Sequence, residues 1–235
     1  MAKKSSSFSY KRTNIILSQS TPFAVAEAYK AARTNLMFKL NSKEKNTLIV
    51  TSSDAYEGKT TTCVNLAITF AQTGSKVLLI DADLRKPFVH KLLDAPLVPG
   101  LTDHIAGLTE DTPIRPTSYE NLYLLPAGTV PPNPSELLMS DSMAKFINQA
   151  SEDFDYVFID TPPVGVVTDA SVLAPKTTGA LVVARQNYST KDAVKSAIAS
   201  LESAGANVLG FIFNDVNLDS RSKKKGKHSY YYSDK

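Results

Sequence analysis

Thr47–Thr62 reads TLIVTSSDAYEGKTTT, and this stretch decides the fold. Its first residues, Thr47–Ser53, form a short aliphatic run that predicts a strand. Gly58-Lys59-Thr60 follows at once. From about Lys59 to Thr73 the residues Cys63, Leu66, Ala67 and Phe70 fall on one helical stripe, with Gly74 as its stop. Strand, short loop and helix in that order are the context a phosphate loop requires. Backbone N–H groups and the helix N-terminus surround a phosphate with donors and positive dipole. Lys59 would bring a mobile positive charge to the β- and γ-phosphates of ATP, and the Thr60 hydroxyl would be a Mg²⁺ ligand. The general pattern wants Gly six residues before Lys59, where this chain has Ser53. Gly-Lys-Thr alone is also compatible with an ordinary helix start, so the reading rests on its surroundings.

Those surroundings repeat the strand-then-helix theme. Val77–Asp81 (VLLID), Asn121–Pro126 (NLYLLP), Tyr156–Asp160 (YVFID), Ala180–Arg185 (ALVVAR) and Val208–Asn214 (VLGFIFN) are short, continuous and aliphatic. Such runs are expected of strands covered on both faces. Helical stretches lie between them, one from about Thr190 to Ala204 and stopped by Gly205, and another from about Ala24 to Leu40 precedes them. The pattern predicts an α/β fold, a doubly wound and mainly parallel sheet flanked by helices. The expected organisation is an N-terminal arm over 1–23, one domain over 24–215, and a flexible tail over 216–235.

Two of the strands run into an aspartate. A buried strand has no packing use for a carboxylate at its C-terminal end, which in open α/β sheets is where ligands sit. Asp160 reads as the carboxylate that holds Mg²⁺, directly or through water. Asp81 and Asp83 stand two apart and would share a face if the strand continued to Asp83. Together they suit a second magnesium contact and a general base, and either could instead cap the following turn. Arg85-Lys86 beside them suggests a site handling more negative charge, or a subunit contact.

The net charge of +3 hides an asymmetry. Val216–Lys235 carries six Lys/Arg against two Asp, and Met1–Arg12 four Lys/Arg and no acid, so each end is +4 and the body is −5. A nucleic-acid-binding domain would carry its basic charge on the folded body. Here nucleic acid is not an expected partner, and the ends read as solvated tails or weak attachments to an anionic surface. No run of about 18 apolar residues occurs, the start lacks the apolar stretch of a secretory signal, and the lone Cys63 permits no internal disulfide. A cytoplasmic compartment is the simplest reading.

Five blocks in this order resemble a known family, the bacterial tyrosine kinases of capsular and exopolysaccharide synthesis. Glu27-x-x-Lys30-x-x-Arg33, within EAYKAARTNL, resembles the helix motif through which these kinases form rings. EGKTTT (Glu57–Thr62) resembles their phosphate loop and IDADLRKP (Ile80–Pro87) their second Walker motif. AGTVPPNPSELL (Ala127–Leu138) and FDYVFIDTPPVGVVTDA (Phe154–Ala170) resemble two further blocks. The resemblance covers roughly Phe23 to Asn214 and adds the tail.

It implies a kinase that uses ATP and Mg²⁺, with Lys59, Asp81, Asp83 and Asp160 catalytic and Thr60, Asp81 and Asp160 around the metal. Glu57, Gly58, Lys59, Thr60 and Thr61 would bind nucleotide, joined by Asn214, which sits where related folds often place a group near the adenine. It also implies a homo-oligomer in contact through Glu27, Lys30 and Arg33. The acceptors would be Tyr230, Tyr231 and Tyr232 on a neighbouring subunit's tail. A separate transmembrane polysaccharide co-polymerase would activate the kinase, drawing it to the inner face of the membrane, and a tyrosine phosphatase would oppose it.

The fourteen residues of 216–229 span at most about 45–50 Å, enough to reach a neighbour's site or the chain's own. The chain departs from the family at Ala55-Tyr56, where Pro-Gly is usual; Gly often serves a backbone angle that Tyr adopts only with strain, so Tyr56 is expected either to reshape the loop or to lie over the nucleotide. It departs again at Lys30, where Arg is common. A switch ATPase that positions DNA or cargo is the first rival, but Asp54 stands where those proteins commonly carry Lys. A weakly nucleotide-binding module of an export complex is the second.

Overall fold

The computed structural model describes residues 15–40 and 46–216. The elements run α1 (Phe23–Leu40), β1 (Thr47–Ser52), α2 (Lys59–Ala71), β2 (Val77–Asp81), α3 (Val89–Leu92) and α4 (Leu101–Ile105). Then follow β3 (Arg115–Pro116), β4 (Leu122–Leu125), α5 (Pro134–Met139), α6 (Asp141–Asp153) and β5 (Tyr156–Asp160). The chain continues through α7 (Asp169–Leu173), a 3₁₀ turn at Ala174–Lys176, β6 (Gly179–Arg185), α8 (Lys191–Ser203) and β7 (Val208–Asn214).

The strands form one seven-stranded sheet in the order β3-β4-β2-β5-β1-β6-β7. Every pairing is parallel except β3 with β4. Alternate strand residues serve opposite faces, as the pleat requires. Leu48, Val50, Leu79 and Phe158 pack with Leu36, Leu40, Cys63, Leu66 and Phe70 of α1 and α2. Ile49, Leu78, Ile80 and Ile159 pack the other way, against Phe146, Ile147, Leu173, Ala197 and Leu201 of α6, α7 and α8. β1, β2 and β5 are buried along their whole length, which is why they read as unbroken aliphatic runs.

The connection leaving β1 crosses to one side over α2, while that leaving β5 crosses β1 to the other side over α7. The order therefore reverses at β1. That places the ligand crevice beyond the C-terminal ends of β1, β2 and β5, where the phosphate loop and both Asp-terminated strands converge.

Three expectations change. β7 is not covered on both faces: it is the sheet edge, and Phe211 and Phe213 are exposed. Helix α2 stops at Ala71 rather than Thr73, because Gly74 turns left-handed (φ 87°) and its N–H bonds the Ala71 carbonyl. β2 ends at Asp81, so Asp83 reaches its place from a turn and not from a continued pleat.

Candidate active site

The loop from Ser53 to Gly58 is braced from inside by Glu57. Its carboxylate is buried and accepts hydrogen bonds from the Ser53 hydroxyl (2.8 Å), the Asp54 N–H (3.0 Å) and the Ser189 hydroxyl. The Glu57 side chain is thus committed to the loop's interior, and a nucleotide could meet only its backbone. Ser53, in the position where the general motif has glycine, supplies one of these bonds, so the departure is built into the loop. Its carbonyl lies against Gly165, where a Cβ would come within 2.2 Å. Gly58 adopts φ 88°, and a Cβ there would lie 2.0 Å from Asn214 Nδ2. That same nitrogen donates to the Glu57 carbonyl at 3.0 Å, so Asn214 clasps the loop backbone. Tyr56 is left-handed, with φ 63°, and its side chain is 83% exposed. Its carbonyl accepts from Arg185, whose guanidinium also pairs with Asp215.

At the start of α2, Lys59 Nζ donates to Asp83 Oδ2 at 3.0 Å and to the Thr60 hydroxyl at 3.1 Å, and stands 3.7 Å from Asp160 Oδ2. Burial disfavours its ammonium, but Asp160 and Asp83 outweigh that and hold the lysine above its ordinary value. Asp160 is fully buried, and neither carboxylate oxygen has a hydrogen-bond partner among the described residues. Burial pushes its carboxyl up to about 6, with Lys59 and Thr60 close enough to pull the other way. An orphaned, partly neutralised carboxylate beside a threonine hydroxyl is a fit for a hard, oxygen-seeking dication such as Mg²⁺.

Asp81 and Asp83, equivalent in the sequence, differ in their partners and exposure. Asp81 Oδ2 accepts from the N–H groups of Phe88 and Val89, each at 3.0 Å, and Oδ1 from Asp83 N–H at 3.3 Å. It caps the start of α3, one of the readings the sequence allowed, and these bonds use lone pairs expected for magnesium. Burial and the Asp160 charge raise its carboxyl well above the usual range. Asp83 keeps 7% of its surface open against none for Asp81, so of the pair it is the one an incoming group can touch.

Arg85 does not stand free for an anion. It pairs with the buried Asp169, leaving Lys86, exposed like Arg85, as the cation of the two with no ion pair among the described residues. Asp169, Ser135, Ser189 and Gly165 carry no signal of this role in the sequence. Asp169 and Gly165 lie within the block FDYVFIDTPPVGVVTDA, but no spacing reveals a partner 84 residues away. On α1 the three-residue steps split: Lys30 pairs with Glu27 at 2.8 Å, while Arg33 turns inward and donates to the Thr69 carbonyl at 2.7 Å. Tyr230, Tyr231 and Tyr232 lie outside the described residues. Among the described residues no helix is long and apolar enough to cross a membrane.

Comparison with known proteins agrees with this geometry. The family described as "ParA: NUBPL iron-transfer P-loop NTPase" matches residues 43–234. CapB of Staphylococcus aureus, named as a putative tyrosine-protein kinase, is 37% identical over 99% of this chain and 98% of its own length. The kinase domain of the Escherichia coli tyrosine kinase ETK superposes with a TM-score of 0.80 at 35% identity, covering 92% of this chain and 86% of that one. The chimerical protein CapA2B2 does so with a TM-score of 0.78 at 34% identity, covering 84% and 86%. The P-loop NTPase fold, the five ordered blocks and these near-complete alignments agree, and the chain belongs to the bacterial tyrosine kinase family of CapB and ETK.

Proposed function

We propose that the chain transfers the γ-phosphoryl group of ATP to tyrosine hydroxyls, among them Tyr230, Tyr231 and Tyr232 of a neighbouring copy. The observation that carries this reading is the position of Lys59, held between Asp83 and Asp160 at the mouth of a phosphate loop. The unit responsible is residues 24–215, with 216–235 as the tail that presents the acceptors.

Nucleotide binds against the backbone of Glu57 and Gly58 and the first turn of α2, with Thr60 and Thr61, while Asn214 keeps the loop closed from behind. Asp160 and Thr60 would hold Mg²⁺, which would supply charge neutralisation to the phosphates. Asp81 fixes the turn beyond β2 through the Phe88 and Val89 N–H groups. The phosphates draw Lys59 off the carboxylates, and this frees Asp83. A phenol of pKa about 10 then needs a proton acceptor at neutral pH. As the phenolic oxygen bonds to the γ-phosphorus, the bond from phosphorus to the β-phosphate oxygen breaks, ADP leaves with that electron pair, and Asp83 takes the phenolic proton. Lys59 follows the charge that develops on the transferring group.

The family's CapB and ETK support a role in capsular or exopolysaccharide synthesis and export, with regulation through the phosphorylated tail. The name CapA2B2 joins a CapA to a CapB part, which supports an activating membrane partner of the co-polymerase type that brings the kinase to the inner face of the membrane. A tyrosine phosphatase would reset it. Glu27, Lys30 and Arg33 would lie at a contact between copies of the chain in a ring. Asp83→Asn tests the chemistry: we expect tyrosine transfer to fall by about 10²–10⁴-fold, the usual worth of a general base, with Mg-ATP affinity kept. Loss of magnesium binding in that variant would overturn the assignment of the base.

A further inference from the structure

Asp169 begins α7 with a carboxylate that has no exposure to solvent. A buried charge must be paired and hydrogen-bonded, and this one is paired from two other segments. Arg85, in the turn between β2 and α3, forks onto it, with Nε 2.9 Å from Oδ2 and Nη2 3.0 Å from Oδ1. Ser135, at the start of α5, donates its hydroxyl to Oδ1 at 2.5 Å and accepts from Arg85 Nη2 at 2.9 Å. The planar fork fixes the guanidinium in two directions at once, which a single ammonium could not do.

The turn that carries Arg85 also carries Asp83. The N–H of Lys86, the residue after Arg85, donates to Asp83 Oδ1 at 3.1 Å, while Asp83 Oδ2 takes the Lys59 ammonium. Asp83 is therefore oriented from two sides. Once nucleotide phosphates attract Lys59, the bond from the Lys86 N–H still aims its carboxylate. We infer that Asp169, acting through Arg85 and supported by Ser135, positions Asp83 for the transfer step. Arg85 and Asp169 are positioning residues, since neither touches a reacting atom.

Stability alone is a poor explanation for the cluster. Replacing a buried ion pair by apolar side chains of similar volume is often neutral or favourable, so a charged fork is not needed to hold three segments together. The Arg85 side chain is 39% exposed but Asp169 has no exposure, so truncating Arg85 also costs stability, and the test reads rate against nucleotide affinity for that reason. The inference rests on the reading of Asp83 as the base, and the experiment separates the two.

The intact chain, Arg85→Ala, Arg85→Lys, Asp169→Asn and the Arg85→Ala/Asp169→Asn double variant are assayed for Mg-ATP affinity and for turnover in tyrosine transfer. We expect each of Arg85→Ala and Asp169→Asn to lower kcat about 10–100-fold, the scale of a displacement near 1 Å at a reacting group, with Mg-ATP Kd changed less than about twofold. The double variant should be no worse than the poorer single one, because both break the same arm, and Arg85→Lys should fall in between. Turnover within about twofold of wild type in Arg85→Ala overturns the proposal. So do losses that multiply in the double variant, or a loss of nucleotide affinity as large as the loss of rate. Should Asp169→Asn fail to fold, Ser135→Ala keeps the fork and removes only its bridge, and an unchanged kcat there together with an unchanged Arg85→Ala rejects the idea. If the wild-type chain hydrolyses ATP but phosphorylates no tyrosine, the function reading fails by itself. The same comparison is then made on hydrolysis, where unchanged rates reject the positioning role.

Discussion

Asp160→Asn should make the nucleotide-free protein more stable while it destroys function. The carboxyl of Asp160 is raised from an ordinary 3.8 to about 6, chiefly by burial. Because the folded value lies above the unfolded one, the native state binds the extra proton between these limits. Stability attributable to this group is therefore greatest below about pH 4, falls as pH rises towards 6, and stays low above it. A folded-state pKa one unit above the unfolded one corresponds to about 1.4 kcal/mol, so ionised Asp160 costs the fold on the order of 1–2 kcal/mol at pH 5 and about 3 kcal/mol at pH 7.5. That cost already includes the attraction of Lys59, whose firmer partner, Asp83 at 3.0 Å, remains in the variant. Asparagine keeps the shape and removes the charge. Urea denaturation of both proteins at pH 5 and 7.5, without nucleotide or magnesium, should show the variant ahead at both, with the gap widening by on the order of 1 kcal/mol at the higher pH. Mg-ATP should stabilise the wild type and leave the variant nearly unchanged, since the carboxylate proposed to hold magnesium is gone. A variant less stable than wild type at pH 7.5, or a gap that does not depend on pH, would refute the picture of an orphaned buried carboxylate awaiting a cation.

Gly58→Ala should lose more than about 2 kcal/mol, combining left-handed strain of about 1–2 kcal/mol with the 2.0 Å collision on Asn214 Nδ2. Adding Asn214→Ala should return the collision part in urea melts. A double variant no more stable than Gly58→Ala would show that Asn214 does not press on the loop. Arg33→Glu removes the bond to the Thr69 carbonyl and sets an anion against the C-terminal end of α2, costing about 1–2 kcal/mol. In light scattering the same variant should lower the assembly mass, and an unchanged mass in a folded protein would remove α1 from the subunit contact.

The sheet was legible because strands buried on both faces have to be written as continuous aliphatic runs. Two of them end in an aspartate that no packing argument explains. The start of α2 was legible for the related reason that a phosphate loop needs its glycine and lysine at the head of a helix, and Gly58 indeed takes φ 88°. What the sequence hid was the disposition of each charge. Glu57 lies inside the loop motif, yet its carboxylate turns inward to Ser53 and Ser189, and the second of these is 132 residues away. Asp81 and Asp83 look equivalent at a spacing of two, and only the end of β2 at Asp81 makes one a fully buried cap and leaves the other slightly open. Arg85 comes from the turn after β2 and Asp169 from the start of α7, so their pairing exists only after the sheet has formed. Arg33 shares its three-residue step with Lys30, but α1 packs on α2 and turns Arg33 to a carbonyl 36 residues on. The short helices α3, α4, α5 and α7, each six residues or fewer, had too little periodicity to register.

The central claim is tyrosine transfer by this loop onto the chain's own tail. The direct measurement is phosphotyrosine mapping by mass spectrometry after incubation with Mg-ATP, alone and with a peptide from the cytoplasmic end of a co-polymerase partner. Lys59→Ala and a Tyr230/Tyr231/Tyr232→Phe variant run alongside. We expect phosphate on Tyr230–Tyr232 in the wild type and none there in either variant. Lys59-dependent hydrolysis of ATP with no phosphotyrosine, even in the presence of the peptide, would contradict the account and make the chain a switch ATPase.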